Sequence, residues 1–158
     1  MSPRDAATSW LRQARNDLVH AHWSLQAGHA DWACLAAHHA TAMALKGLIV
    51  DAGHRPLATD NPALLAMDLM ELGVLDEDDV AGLGDLDTLP ATALRVRNPE
   101  RAAGGGSRDE TASLAATAVA LSQRVLALVT TVTRSRGLPL GPELAGPGFV
   151  AGPRQMTG

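Results

Sequence analysis

Four arginines crowd one stretch of the chain: Arg95, Arg97, Arg101 and Arg108. Residues 56–94, just before them, carry no Lys or Arg but nine acids, namely Asp60, Asp68, Glu71, Asp76, Glu77, Asp78, Asp79, Asp85 and Asp87. A guanidinium presents a planar fork of N–H donors and stays charged, so it suits phosphate binding and the stabilisation of developing negative charge. It cannot move a proton. Groups that can are the six histidines His20, His22, His29, His38, His39 and His54, because imidazole changes charge near neutral pH.

A helical hairpin turning near His29 sets His20 across from His38, and helix bundles can hold metals between facing helices. A three-histidine site is therefore one reading of His20, His38 and His39. Against it, no HExxH spacing occurs and no inward carboxylate is evident beside them. The reading adopted is that these histidines, with Lys46, are polar core or ligand-contacting groups, with no metal and no cofactor.

Three other motifs are weighed and set aside. Gly104–Gly106 lacks the Lys-Ser/Thr ending and the preceding strand of a phosphate loop, and reads as a connector. Ser9, Ser24, Ser107 and Ser113 lie in helical or capping contexts without a nucleophile elbow. Asp76–Asp79 reads as a helix start, favoured by the helix dipole, because no glycine-turned calcium loop follows. The lone Cys34 reads as a buried small hydrophobe. Trp10, Trp23 and Trp32 read as packing anchors, the last two also suiting a dimer surface.

The elements that must position these groups are helices. Ser2-Pro3 opens the first, whose stripe is Leu11, Ala14, Leu18, Ala21 and Leu25, with Gly28 as the stop. A second is expected from about Ala30 to Ala52, with a stripe of Leu35, His38, Ala42, Leu45 and Ile49. Asp60 or Asn61 caps a short helix that Gly73 closes. Another short one starts at the acidic run, and a further helix is expected over Thr88–Arg97, stopped by Pro99. Ser107 to Glu110 matches a capping box. It opens the last helix, with a seam of Leu114, Ala118, Leu121, Val125, Leu128 and Val132. No segment alternates as a strand does. The fold class expected is all-α: an up-and-down bundle of four main helices with one or two short ones.

The 158 residues suit one domain, the bundle over 1–136. Residues 137–158, with four Pro and five Gly after Leu138, read as a disordered tail. Ala abundance and aromatics at only 3% suit helices packed closely through small side chains. A net charge of −4 argues against general nucleic-acid affinity, which needs many cations. No signal peptide is visible and no apolar run reads as a membrane span, so a cytoplasmic protein with no membrane partner is expected.

Trp10-Leu11, Asp17-Leu18 and the run His38-His39-Ala40-Thr41-Ala42-Met43-Ala44-Leu45-Lys46-Gly47-Leu48-Ile49 resemble the HEPN domain family (higher eukaryotes and prokaryotes nucleotide-binding). Its hairpin carries a tryptophan-leucine pair, an aspartate-leucine pair and a stretch like QQAAEKALKALL. His38 and His39 stand where glutamines are common, and Lys46 matches the second lysine. Asn61-Pro62-Ala63-Leu64-Leu65 resembles the segment that follows. The resemblance implies a helical bundle that often dimerises. It also implies ribonucleases and toxins, nucleotide- or protein-binding modules, and nucleotidyltransferase partners.

Active ribonucleases of that family carry an arginine, a polar residue such as asparagine, three residues and a histidine. Arg97-Asn98 begins this pattern, making these two the catalytic candidates, but Ala102 stands at the place of the histidine. The resemblance with this departure implies a homodimer acting by association, with a nucleotidyltransferase-type partner, in a toxin–antitoxin-like or regulatory system, without ribonuclease activity. Two alternatives stand beside it. One is a metal-independent endoribonuclease with a rearranged site, using Arg97 and His38, His39 or His54. The other is a nucleotide-binding or phosphate-binding module built on Arg95, Arg97, Arg101 and Arg108, which would also be the RNA-binding residues.

Overall fold

A computed structural model describes residues 1–98 and 108–138. Six helices appear among them: α1 (Pro3–Gln26), α2 (Ala30–Asp51), α3 (Pro62–Glu71), α4 (Glu77–Ala81), α5 (Thr88–Arg97) and α6 (Arg108–Ser135). No strand is present among the described residues, so the class is all-α. Three long helices, α1, α2 and α6, form the body. The shorter α3 and α5 pack on α2.

Local chemistry sets these bounds. Ser2 and Asp5 exchange side-chain to backbone hydrogen bonds at the start of α1, with Pro3 at the first helical position. Gly28 then takes φ +80°, a left-handed conformation that ends α1, and one further residue suffices before α2 begins. Asn61 Oδ1 accepts from the Ala63 and Leu64 amides and caps α3. Asp76 and Asp79 cap α4 reciprocally, so the acidic run is a helix start. The expected capping box at Ser107, the Pro99 stop, the loop 99–107 and the tail beyond Leu138 lie outside the described residues.

The core gathers on α2. Its sequence stripe suggested one buried face, yet Ala33, Cys34, Ala37, Ala40, Thr41, Ala42, Met43, Ala44, Leu45, Gly47, Leu48 and Ile49 are all buried. Such a helix has neighbours on nearly every side, here α1, α3, α5 and α6. Ala on both sides of the α1–α2 contact, including Ala7, Ala14, Ala21, Ala33, Ala37 and Ala44 at 0% exposure, lets the backbones approach. The closest point is Gly47, where an added Cβ would sit 3.0 Å from Leu11 Cδ2 and 3.1 Å from Trp10 Cβ.

Burial corrects two readings of the sequence. Trp10 packs on the core, but Trp23 and Trp32 remain 48% and 63% exposed and are not packing anchors. Both α2 and α6 are long and apolar enough, by length and composition, to cross a membrane. The sequence reading that no run qualifies was too strict. Within the bundle, 67% of the apolar window of α2 is buried against other helices, which accounts for its composition as a core helix.

Candidate functional site

Asp17 on α1 and His39 on α2 meet across the hairpin, with His39 Nδ1 2.6 Å from Asp17 Oδ2. The other carboxylate oxygen accepts from Gln13 Nε2 at 2.8 Å, one turn earlier on α1. Asp17 is only 15% exposed at its side chain and His39 is 51% exposed. A carboxylate accepts and does not donate, so His39 donates from Nδ1. This fixes the ring and leaves Nε2 for chemistry. His39 Nε2 has no partner among the described residues.

The pair opens onto a groove of about 460 Å³, a size ordinary for small-molecule sites. Its walls include Asp17, His20 and Ser24 from α1, Trp32 and His39 from α2, and Arg97 at the end of α5. His20 stands edge-on to Trp23, with ring centroids 6.2 Å apart. Arg97 is exposed and makes no ion pair or hydrogen bond among the described residues. A larger hollow of about 650 Å³ at the hairpin tip has no Arg or Lys among the described residues of its wall.

His38, the next residue, turns the other way. Its Nε2 donates to the Asp60 carbonyl at 2.8 Å, since a carbonyl only accepts. Burial lowers the His38 pKa below its ordinary value, and the nearby Arg97 charge pushes the same way, against the Asp60 contacts that raise it. Lys46 Nζ bonds the Asp60 carboxylate and lies 5.8 Å from the Trp10 ring centroid. That hydrogen bond holds the Asp60 pKa down. His38 and Lys46 thus tether the loop between α2 and α3 instead of meeting His20.

Of the sequence candidates, the structure brings His20, His39 and Arg97 together. Arg95 is drawn off to Glu110 on α6, 3.4 Å away, and Asn98 continues past α5 in extended conformation. His54 is exposed in the loop after α2. Arg101 and Ala102, and the side chain of Arg108, lie outside the described residues. No group of three or more His, Cys, Asp or Glu is placed to hold a metal among the described residues, and the pairing of His38 with Asp60 breaks up the three-histidine set.

Sequence reasoning missed Asp17, finding no inward carboxylate near the histidines. A signal was present: Asp17 and His39 are each eleven positions from Gly28. Placing the turn at His29 instead paired His20 with His38.

A family model described as HEPN domain matches residues 7–132. No curated protein and no solved structure matches the chain. The matched span runs from the second turn of α1 to the last turn of α6 and so takes in the hairpin, the groove and the core helix. On that match the chain belongs to the HEPN domain family.

Proposed function

We propose that the groove between α1, α2 and the end of α5 binds a phosphate of a nucleotide or of an RNA strand, with the base against Trp32. The family suggests a nucleotide-binding or ribonuclease-like function. The observation that carries the proposal is the sharing of one groove by Arg97 and a His39 ring fixed by Asp17. An exposed guanidinium supplies the anion contact. Trp32, 63% exposed beside it, supplies a face for stacking, worth roughly 1–3 kcal/mol per base in single-strand binders. A net charge of −4 limits this to a local grip on one or two phosphates.

The test is titration of the full chain with nucleotides and short RNA, followed by tryptophan fluorescence and melting temperature. Binding to the folded state raises apparent stability. The expected result is a raised melt that Arg97→Ala abolishes. An unchanged melt and unchanged fluorescence at millimolar nucleotide and RNA would sink the proposal.

A second reading, action by association as a homodimer, keeps the support of exposed apolar side chains at Trp23, Trp32, Leu64, Met67 and Leu94. Light scattering at micromolar concentration tests it, and a strictly monomeric chain counts against it. Mixing with a nucleotidyltransferase-type protein in the same measurement tests the hetero-partner.

A further inference from the structure

We propose that the outward face of α3 is a docking surface for a basic amphipathic helix of another protein. It lies apart from the groove and does not depend on what the groove binds.

α3 packs on α2 and buries Pro62, Leu65, Ala66 and Leu69. Its other side carries Leu64, Met67, Asp68 and Glu71, whose spacing puts them in one stripe along the helix. Leu64 and Met67 are 47% and 53% exposed, whereas Leu65 and Leu69 are fully buried. Two large apolar side chains one turn apart therefore stand in water. Asp68 and Glu71 sit in the last turn of α3, where the helix dipole disfavours negative charge. Neither forms an ion pair with a cation among the described residues. Residues 56–94 contain no Lys or Arg that could neutralise them locally.

An exposed leucine or an unpaired surface acid is ordinary by itself. Here two local rules are broken on one face of one short helix, and such breaks gather at functional surfaces. A single kind of occupant relieves both. Apolar anchors would cover Leu64 and Met67. A Lys or Arg roughly 10 Å further along the α3 axis would meet Asp68, Glu71 and the negative end of the helix. An amphipathic helix repeats its anchors every three or four residues, and so carries both features on one side at that spacing.

The charge also selects against other occupants. Nucleic acid and anionic lipid are repelled by this face. A second copy offering the same face in a two-fold contact would set Asp68 and Glu71 against their own like charges.

The probe is a fluorescent synthetic helix of leucine and lysine in amphipathic order. One control has the same composition in scrambled order, and a second has glutamate in place of lysine. Anisotropy reads binding to the full chain, and light scattering reads its oligomeric state. The variants are the double substitutions Leu64→Ser with Met67→Ser, and Asp68→Asn with Glu71→Gln. All four side chains point away from the core, and melting temperatures show that the variants are folded.

The ordered leucine–lysine helix is expected to bind, and both controls to bind at least about tenfold more weakly. The apolar double variant should lose about tenfold or more in affinity, the scale of losing interface anchors. The acid double variant should lose affinity chiefly at low salt and show a flatter salt dependence. Arg97→Ala should leave this binding unchanged, which separates it from the groove. No binding of the ordered helix, or binding that neither double variant weakens, overturns the proposal. So does a wild-type dimer that the apolar double variant turns into a monomer, since a second copy would then cover the face.

Discussion

Asp17 and His39 meet at 2.6 Å from positions equally distant from Gly28 along the two arms of the hairpin. The contact is therefore a consequence of where α1 stops. Gly28 at φ +80° sets the turn, and the turn sets which residues of α1 and α2 face each other. Moving the turn by one residue would exchange a carboxylate–imidazole pair for some other pair, so the conformational freedom of one glycine reaches the candidate site.

His38 should make the fold sensitive to mild acid. Burial holds its pKa below the ordinary 6.5, so the unfolded chain takes up a proton more readily. The resulting stability is full above pH 6.5 and is lost as the pH falls below it. His38→Gln can still donate to the Asp60 carbonyl but cannot charge. Urea midpoints measured between pH 7 and pH 5 should fall less for this variant than for wild type. Some slope should persist, because burial also lowers the pKa of His22.

Lys46 governs the more acid range. Its hydrogen bond keeps the Asp60 carboxyl below the usual 3.8, so that contribution is present above pH 3.8 and is lost as the pH falls through the folded value. Lys46→Met keeps an apolar stem beside Trp10 and releases Asp60. With Asp60 57% exposed, the cost at pH 7 should be modest, about 1 kcal/mol or less. Chemical denaturation should show the gap between variant and wild type closing below pH 3.8.

Gly47→Ala sets two effects against each other. Ala gains up to about 1 kcal/mol over Gly inside a helix. The new Cβ meets Leu11 Cδ2 at 3.0 Å and Trp10 Cβ at 3.1 Å, and overpacking of that kind costs about 1–3 kcal/mol. One of the contacts is a Cβ, which cannot swing aside, so the net change should be destabilising. A lowered melting temperature is the expected readout. An unchanged or raised one would mean that α1 slides away without loss.

Arg136 closes the base of the bundle. Its Nε donates to Asp51 Oδ2 at 3.0 Å, and the Asp51 side chain is only 5% exposed. Arg136→Ala leaves that carboxylate shielded and unpaired at the C-terminal end of α2, where the helix dipole disfavours negative charge. A loss of about 1–3 kcal/mol is expected. Adding Asp51→Asn should recover part of it, as a double-mutant cycle by urea unfolding would show.

Much of this fold was legible because its signals are local. Ser2, Asn61 and Asp76 each cap a helix by bonds within three residues, and the bounds of α5 follow from its own sequence. What was not legible depends on rotation about helix axes. Stripes place Leu11 and Leu45 in the core, but they do not say that Ala-rich α2 is enclosed on almost every side. They also do not say which of the adjacent His38 and His39 faces α1. One residue is a turn of roughly 100° on a helix, enough to send His38 to the Asp60 loop and His39 to Asp17. The exposure of Trp32 was hidden for a related reason, since an aromatic residue near a hairpin tip reads the same from sequence whether it packs or stands free.

His38 and His39 lie between Ala37 and Ala40, both at 0% exposure. The helix that carries His39 is thus also the keel of the molecule. A side chain mounted there is anchored by the interior, and its backbone cannot shift without disturbing the core. Arg97 has the opposite mounting, at the last residue of a ten-residue helix. One wall of the groove therefore stands on the core helix, and the other on the end of a short helix packed against it.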